Sequence, residues 1–501
     1  MESMINKDIL STIQQRGWPL APKALFKRNH LYLTLVLPAL ILSTTLNAQQ
    51  HGIFKDSLNL HASSHKNIDT TTLRYAFMHG KTSAHLRYFF MSTQNAGSLT
   101  DYYAHAIGGG LKYETAPYHG FQLGMSGFYI FNIGSSNLAE PDAKTNQPNR
   151  YERSLFDIED PSNKSDIDRL EELYVKYAWK NSKIIFGRQL INTPFINLQD
   201  GRMRPSEVAG LWAEINDIKN TRIEAGWIKR ISPRNTVKWH SVGESIGIYP
   251  AGVNEEGSPS SYAGQVSSKG IAMVGITHKT GQLKLQAWNV FVENVFNTSM
   301  LQADLALKNN DGSHWIAGAQ YIYQAAIKDG GNKDPHKTYY GKGMKAQTFG
   351  ARLGWENARF SSSINYNRIT ALGRFLMPRE WGKEPFYTFL PRERNEGTGD
   401  MNAYMFRAAY ELPAIHLKTG AGFGYYALPE VTHYALNKYG LPSYTQLNLD
   451  LNYAFTGWLE GLEAELLYVY KNKLGNSFGN DKYVINKVDM AQWNIVLNYE
   501  F

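Results

Sequence analysis

Residues 447–456 read LNLDLNYAFT. In an extended chain Leu447, Leu449, Leu451, Tyr453 and Phe455 share one face, and Asn448, Asp450, Asn452 and Thr456 share the other. A strict period of two predicts a β-strand lying between an apolar and an aqueous phase. The last ten residues, QWNIVLNYEF, repeat the pattern: Trp493, Ile495, Leu497, Tyr499 and Phe501 alternate with Gln492, Asn494, Val496, Asn498 and Glu500. Phe349, Ala351, Leu353 and Trp355 do the same against Gly350, Arg352, Gly354 and Glu356, as do Leu173, Val175, Tyr177 and Trp179 against Tyr174, Lys176, Ala178 and Lys180. A soluble sandwich gives one or two such strands. Repetition along the chain, with Trp and Tyr at the apolar ends, fits a transmembrane antiparallel β-barrel with aromatic girdles.

Composition narrows the alternatives. The chain has 501 residues, and its 19% charged residues fall below the roughly 25% of an ordinary soluble domain. The absence of Cys excludes disulfides, thiolate metal sites and Cys nucleophiles. No apolar run approaches the ~18–20 residues of a membrane-spanning helix, whereas barrel strands escape hydropathy because they alternate.

Three regions are expected. Residues 1–48 read as a secretory signal peptide: Lys23, Lys27, Arg28 and His30 precede the apolar LYLTLVLPALIL of residues 31–42, then small and polar residues lead to a cut after Ala48. Residues 49–83 read as an N-terminal periplasmic stub or partial plug, in which 70–81 suits a short amphipathic helix as well as a strand. Residues 84–501 read as the barrel. Strands are expected at 84–91, 104–114, 121–132, 170–180, 183–189, 208–216, 221–230, 264–279, 282–293, 297–307, 313–324, 345–356, 359–369, 401–412, 415–426, 444–456, 461–471 and 487–501, about eighteen in all. Very short links such as Lys180-Asn181-Ser182 and Thr280-Gly281 alternate with long polar segments at 133–168, 231–262, 325–344, 369–400, 427–442 and 472–486. Short periplasmic turns and long extracellular loops are the asymmetry of an outer-membrane barrel.

Two segments resemble the OprD family of outer-membrane porins. The first runs from Phe186-Gly187-Arg188-Gln189 through Thr193-Pro194-Phe195-Ile196 to Asp200-Gly201-Arg202-Met203-Arg204-Pro205 and Ala209-Gly210. It is similar to the stretch where the family's third extracellular loop dips into the barrel. The second, Pro378-Arg379-Glu380-Trp381-Gly382-Lys383-Glu384-Pro385-Phe386-Tyr387-Thr388, is similar to a block in the seventh loop. The resemblance implies a channel for small carboxylates, basic amino acids and peptides, narrowed by those two loops, with a ladder of basic residues along one wall. It leaves open whether the assembly is a monomer or a trimer.

Parity nominates the ladder. Arg87, Lys112, Lys176, Lys180, Arg222, Arg352, Arg407 and Lys418 lie opposite apolar faces and are expected to line the pore. Fixed cations in a narrow, low-dielectric passage raise the local anion concentration. In the loops at 189–207 and 369–400, Arg202, Arg204, Arg379 and Arg392 are candidates for the constriction, with Asp200, Glu380 and Glu384 as counter-charges. Arg379 and Glu380 are expected to form an ion pair or to stand at the narrowest point. The formal charge of +8 adds weak support, since part of it lies in the signal segment.

Other chemistry is less well supported. Gly243-Glu244-Ser245-Ile246-Gly247 matches a nucleophile elbow, but that motif works only at a strand-to-helix turn of an α/β sheet. The 14 His show no metal-ligand spacing, and His105, His278 and His416 read as lumen or girdle residues. The basic stretch 216–230, with Lys219, Arg222, Lys229 and Arg230, suits lumen or lipid headgroups better than nucleic acid. The expectation is a non-enzymatic, cofactor-free and metal-free porin embedded in outer-membrane lipid and passing small solutes. Its last strand, with Trp493, Tyr499 and Phe501, resembles the signal read by the barrel assembly machinery. The alternative is an adhesin acting through its long loops.

Overall fold

The structure is a computed structural model that describes residues 71–198 and 201–501. The expected signal segment 1–48 and residues 49–70 of the expected stub lie outside the described residues.

Eighteen antiparallel strands among the described residues close into one barrel. They are β1 (Lys81–Asn95), β2 (Tyr102–Glu114), β3 (Phe121–Ser135), β4 (Ile167–Trp179), β5 (Ser182–Gln189), β6 (Glu207–Ile215), β7 (Thr221–Ser232), β8 (Ile271–Thr280) and β9 (Leu283–Val292) in the first half. The second half contains β10 (Phe296–Lys308), β11 (His314–Ala326), β12 (Lys345–Glu356), β13 (Phe360–Ile369), β14 (Met401–Leu412), β15 (Leu417–Ala427), β16 (Tyr444–Ala454), β17 (Leu462–Lys473) and β18 (Met490–Glu500). Each strand pairs with its sequence neighbours, and His240–Ser241 adds a two-residue pairing to the end of β7. No helix among the described residues is long and apolar enough to cross a membrane.

Closure comes from β1 and β18, which pair from His85↔Glu500 to Asn95↔Met490. Ala84 and Phe501 continue the ladder, each amide donating to the other's carbonyl at 2.8 and 3.0 Å. Ahead of the barrel, Leu73–Met78 form one short helix capped by the Thr72 hydroxyl. It is tied to the β2–β3 turn by the Ala116 amide, which donates to the Ala76 carbonyl at 3.0 Å. The helical alternative for 70–81 is therefore the one adopted, and β1 opens at Lys81. Further along, β8 opens at Ile271, not at 264, because residues 264–270 belong to the preceding loop.

The alternation places side chains as the sequence predicts. Leu449, Leu451 and Ile495 are exposed on the outer face, where hydrocarbon would cover them, and Asn448, Asp450 and Asn494 are buried inside. Tyr366, Tyr404 and Tyr425 stand side by side on neighbouring strands, with ring centroids 5.1 and 6.3 Å apart, forming part of an outer aromatic girdle. Links on the side of Phe501 are short, for instance 180–181 and 281–282, and the opposite side carries the loops 136–166, 190–206, 233–270, 327–344, 370–400, 428–443 and 474–489.

Deleting Trp493–Phe501 removes the partner of β1 over His85–Ser92 and leaves two open edges in hydrocarbon. The truncated chain is expected to give no heat-modifiable band in outer-membrane fractions. A normal band would refute closure by β18.

Candidate pore and constriction

Parity puts the candidate cations on the inner wall, and cross-strand register gives most of them an acid. Lys112 Nζ lies 2.7 Å from Glu172, Lys176 Nζ 2.9 Å from Glu114, and Arg222 2.8 Å from Glu224. Arg352 sits 2.9 Å from Asp304 and over the Tyr387 ring, and Lys418 is 3.4 Å from Glu411. Arg87 and Arg407 are used differently. Arg87 Nε donates to Asn498 Oδ1 (2.7 Å) and its Nη1 to the Arg202 carbonyl (2.9 Å), while Arg407 donates to the Phe389 carbonyl (2.8 Å). Both hold a loop to the wall. Lys180 departs from expectation. It occupies the tight β4–β5 turn, with φ +45°, and is exposed at the periplasmic rim, because β4 ends one residue before it.

Three loops fold inward. Residues 370–400 follow the inner wall from β11 to β18. On β11, Gln324 donates to the Leu376 carbonyl (2.8 Å) and accepts from its amide (3.0 Å), and Gln320 donates to the Pro385 carbonyl (3.0 Å). Farther round, Tyr426 holds the Thr388 carbonyl and Gln446 the Pro391 carbonyl, both at 2.8 Å. Arg392 donates through Nε and Nη2 to Asn494 Oδ1 at 3.1 and 3.0 Å, and Lys471 donates to the Arg392 carbonyl at 3.2 Å. Side chains that a water-filled lumen demands thus become the partners of an irregular backbone, whose peptide groups all need satisfaction.

Loop 190–206 joins this strap at one seam. Thr193 Oγ1 accepts from the Ile196 amide (2.9 Å) and fixes a compact turn that presents Asn197. The Asn197 amide donates to the Trp381 carbonyl (3.1 Å), its Nδ2 to the Lys383 carbonyl (2.9 Å), and its Oδ1 accepts from the Lys383 amide (3.1 Å). Gly382 lies against it at φ +141°, where an added Cβ would stand 2.5 Å from Asn197 Oδ1. The Trp-Gly pair of the second resembling segment therefore has a steric reason.

The third inward loop, 233–270, covers most of the long polar segment expected at 231–262 and is not one of the two loops nominated for the constriction. Its Gly247 and Tyr249 amides donate to Glu380 Oε1 at 3.0 and 2.8 Å, and its Ser245 hydroxyl accepts from Trp381 Nε1 at 3.0 Å. Ser245 is buried in a single helical turn, Val242–Ser245, so the elbow-like motif is a brace for Trp381 and no nucleophile.

Charges in the loops are buried and used for pinning. Arg379 pairs with Glu396 and lies over the Tyr439 ring at 3.8 Å. It does not pair with Glu380, whose carboxylate is taken by the backbone amides above. Glu384 accepts from the Asn395 amide at 2.6 Å. Arg202 donates to the Ser154 hydroxyl (2.9 Å) and Arg204 to the Thr236 carbonyl (2.8 Å). Asp200 lies outside the described residues. Sequence reasoning missed Glu393, which receives both Arg150 (2.7 Å) and Lys471 (2.8 Å). Burial works to raise this carboxyl, but the two cations overcome it and hold the group far below the ordinary carboxylate range. Its only signal was the run Arg392-Glu393-Arg394-Asn395-Glu396 inside a loop.

On the extracellular side, a cavity of about 370 Å³ opens between these loops, lined by Glu255, Asp329, Tyr339, Arg374 and Lys438 among others. Lys438 is buried between Tyr262 and Tyr339, with Nζ 4.4 and 4.8 Å from the ring centroids, and donates to the Tyr262 hydroxyl at 2.9 Å. Loss of hydration lowers its ammonium to about 7, with Arg374 acting in the same direction and Glu396 opposing. Lys487, also in the loops, is lowered to about 7 by burial and by Arg150.

The closed barrel has known counterparts. Residues 139–371 match the model of the outer membrane porin, OprD family. The chain thus resembles the OprD family of outer membrane porins over just under half of its length. It is a non-enzymatic channel for small solutes in the Gram-negative outer membrane. Solved structures with the same fold include OpdK of Pseudomonas aeruginosa with vanillate, at 14% identity and TM-score 0.65, covering 85% of this porin and 99% of that chain. OccAB3 of Acinetobacter baumannii is similar at 14% identity and TM-score 0.67, with 85% and 99% covered. OccK9 (OpdG) of Pseudomonas aeruginosa gives 13%, 0.66, 85% and 99%. No curated protein sequence matches.

Two outcomes follow from this geometry. Gly382→Ala forces a side chain into a left-handed backbone and onto Asn197, at a cost of about 1–3 kcal/mol. The seam is expected to loosen and single-channel conductance to rise. Unchanged conductance and unchanged unfolding would place the narrowing elsewhere. Lys438 and Lys487 should be cationic below pH 7 and neutral above it, so the outer vestibule loses positive charge on going from pH 6 to pH 8. Reversal potentials in a salt gradient should shift toward cations over that interval, and the shift should vanish in Lys438→Gln/Lys487→Gln. Because the unfolded chain still binds these protons up to about pH 10.4, stability should also rise with pH between about 7 and 10.4.

Proposed function

We propose that this porin passes small carboxylate-bearing solutes by passive diffusion, with zwitterions such as amino acids and short peptides preferred over simple anions. The observation that carries this reading is the pairing on the inner wall: Lys112, Lys176, Arg222 and Arg352 each stand within 3 Å of a carboxylate. A solute with one charge meets attraction and repulsion at each such pair. A solute carrying an ammonium and a carboxylate can satisfy both halves in turn, and the binding stays weak enough for exit. In this reading the cations that parity nominates, Lys180 excepted, make up a basic lining with acids interleaved. The 370 Å³ cavity is the entry vestibule in this reading. Export by a signal peptide removed after Ala48, and recognition of the Trp493–Phe501 strand by the barrel assembly machinery, complete the proposal.

Liposome swelling with a zwitterion, a monocarboxylate and a neutral solute of equal size tests the preference, and the zwitterion is expected to enter fastest. Replacing Arg87, Arg352, Arg407 and Lys418 together by Gln should slow carboxylate entry. It should also move reversal potentials toward cations, most strongly at low salt, where screening is weakest. Equal entry of all three solutes, or unchanged reversal potentials, would refute the assignment.

A further inference from the structure

Inside the barrel, cations come with acids or carbonyls. On the outer wall one group has no acid paired with it, although Arg188 Nη1 donates to the Leu170 carbonyl at 3.4 Å. Leu173, Arg188, Ala209 and Arg230 are in cross-strand register on β4, β5, β6 and β7. Leu173 faces outward, and directly opposed residues share a face. One step toward the periplasm the corresponding row is Phe186, Leu211 and Trp227, all exposed to the hydrocarbon. The apolar band therefore gives way abruptly to a cationic row near the extracellular ends of β5 and β7.

A bulge sharpens the row. Register shifts between Ala209 and Gly210, so Lys229 and Arg230 are exposed in succession where strict alternation would turn one of them inward. Ala209, with its small side chain, separates Arg188 from Arg230 by two interstrand spacings, about 10 Å. The result is a notch with a long guanidinium arm on either side and an ammonium at its edge. Arg188 is further held over the Trp239 ring, at 4.8 Å. None of the three cations forms an ion pair with a carboxylate among the described residues. Glu244, the nearest acid following β7, is occupied in a capping box with Ser241, and Asp168 on β4 makes no ion pair with the row.

We propose that this notch seats the phosphate of an outer-leaflet lipid headgroup. At this height Arg230 feels the Glu244 carboxylate through space without pairing with it, and the abundant counter-charge is the phosphate of lipids packed against the wall. Arginine forks suit phosphate geometry, and the exposed Phe186, Leu211 and Trp227 below offer a surface for the acyl chains of the same molecule.

The full porin, purified in detergent, is titrated with diphosphorylated lipid A and separately with phosphatidylcholine, and retained lipid is counted by native mass spectrometry. One lipid A should be held through detergent exchange, phosphatidylcholine should not, and equimolar inorganic phosphate should not displace it. Arg188→Gln/Lys229→Gln/Arg230→Gln should lower retention roughly tenfold or more, while Lys345→Gln, an exposed cation on β12, should leave it unchanged. If the triple variant lacks heat-modifiable mobility, Arg230→Gln alone is read in the same way. Equal retention by the variants that fold, no retention by the native porin, or displacement by inorganic phosphate would each overturn the proposal.

Discussion

Everything in this molecule depends on the main-chain bonds between β1 and β18. Hydrocarbon offers no partner to a peptide group, so a sheet can cross it only when no edge remains. The ladder from His85↔Glu500 to Asn95↔Met490, extended by Ala84 and Phe501, removes the last two edges. Closure also creates an interior that is neither lipid nor bulk water, and only there can loops 190–206, 233–270 and 370–400 leave regular structure. The carbonyls of 370–400 find Gln320, Gln324, Arg407 and Gln446 on the wall.

The strands were legible because lipid enforces the period of two residue by residue. Leu449 and Asn448 differ in exposure as their parity demands, and the seam at 490–500 was readable from Trp493, Ile495 and Leu497 alone. The start of β8 was not, because Val266 between polar neighbours continues the strand-like pattern, although Gly264 and Gln265 lie in a turn and Val266 is buried among the loops. The single turn at Leu73–Met78 is too short for helical and strand periods to separate.

At the site the limits were of another kind. Parity identified Arg87, Arg352 and Arg407 as inward, but the acid opposite Arg352 comes from β10, 48 residues earlier. Register between strands is not written in either strand by itself. The same holds for Glu393, whose partners Arg150 and Lys471 lie 243 and 78 residues away. Glu380 misled for a related reason: beside Arg379 in sequence, it is claimed by the amides of a loop more than 130 residues distant. Buried ion pairs of this sort contribute less to stability than their short distances suggest, because both charges lose water. Breaking one leaves its partner stranded, which makes them effective at fixing one arrangement of the loops.

The strap at 370–400 is bonded to the wall at intervals from β11 to β18 and is not hinged from one end. To swing aside it would have to release Gln324, Tyr426, Gln446 and Asn494 together, and each would need a new partner. The opening behaves as a machined gauge and not as a door. Its bore is then fixed by side chains spaced round the wall, as a ring gauge is fixed by its rim.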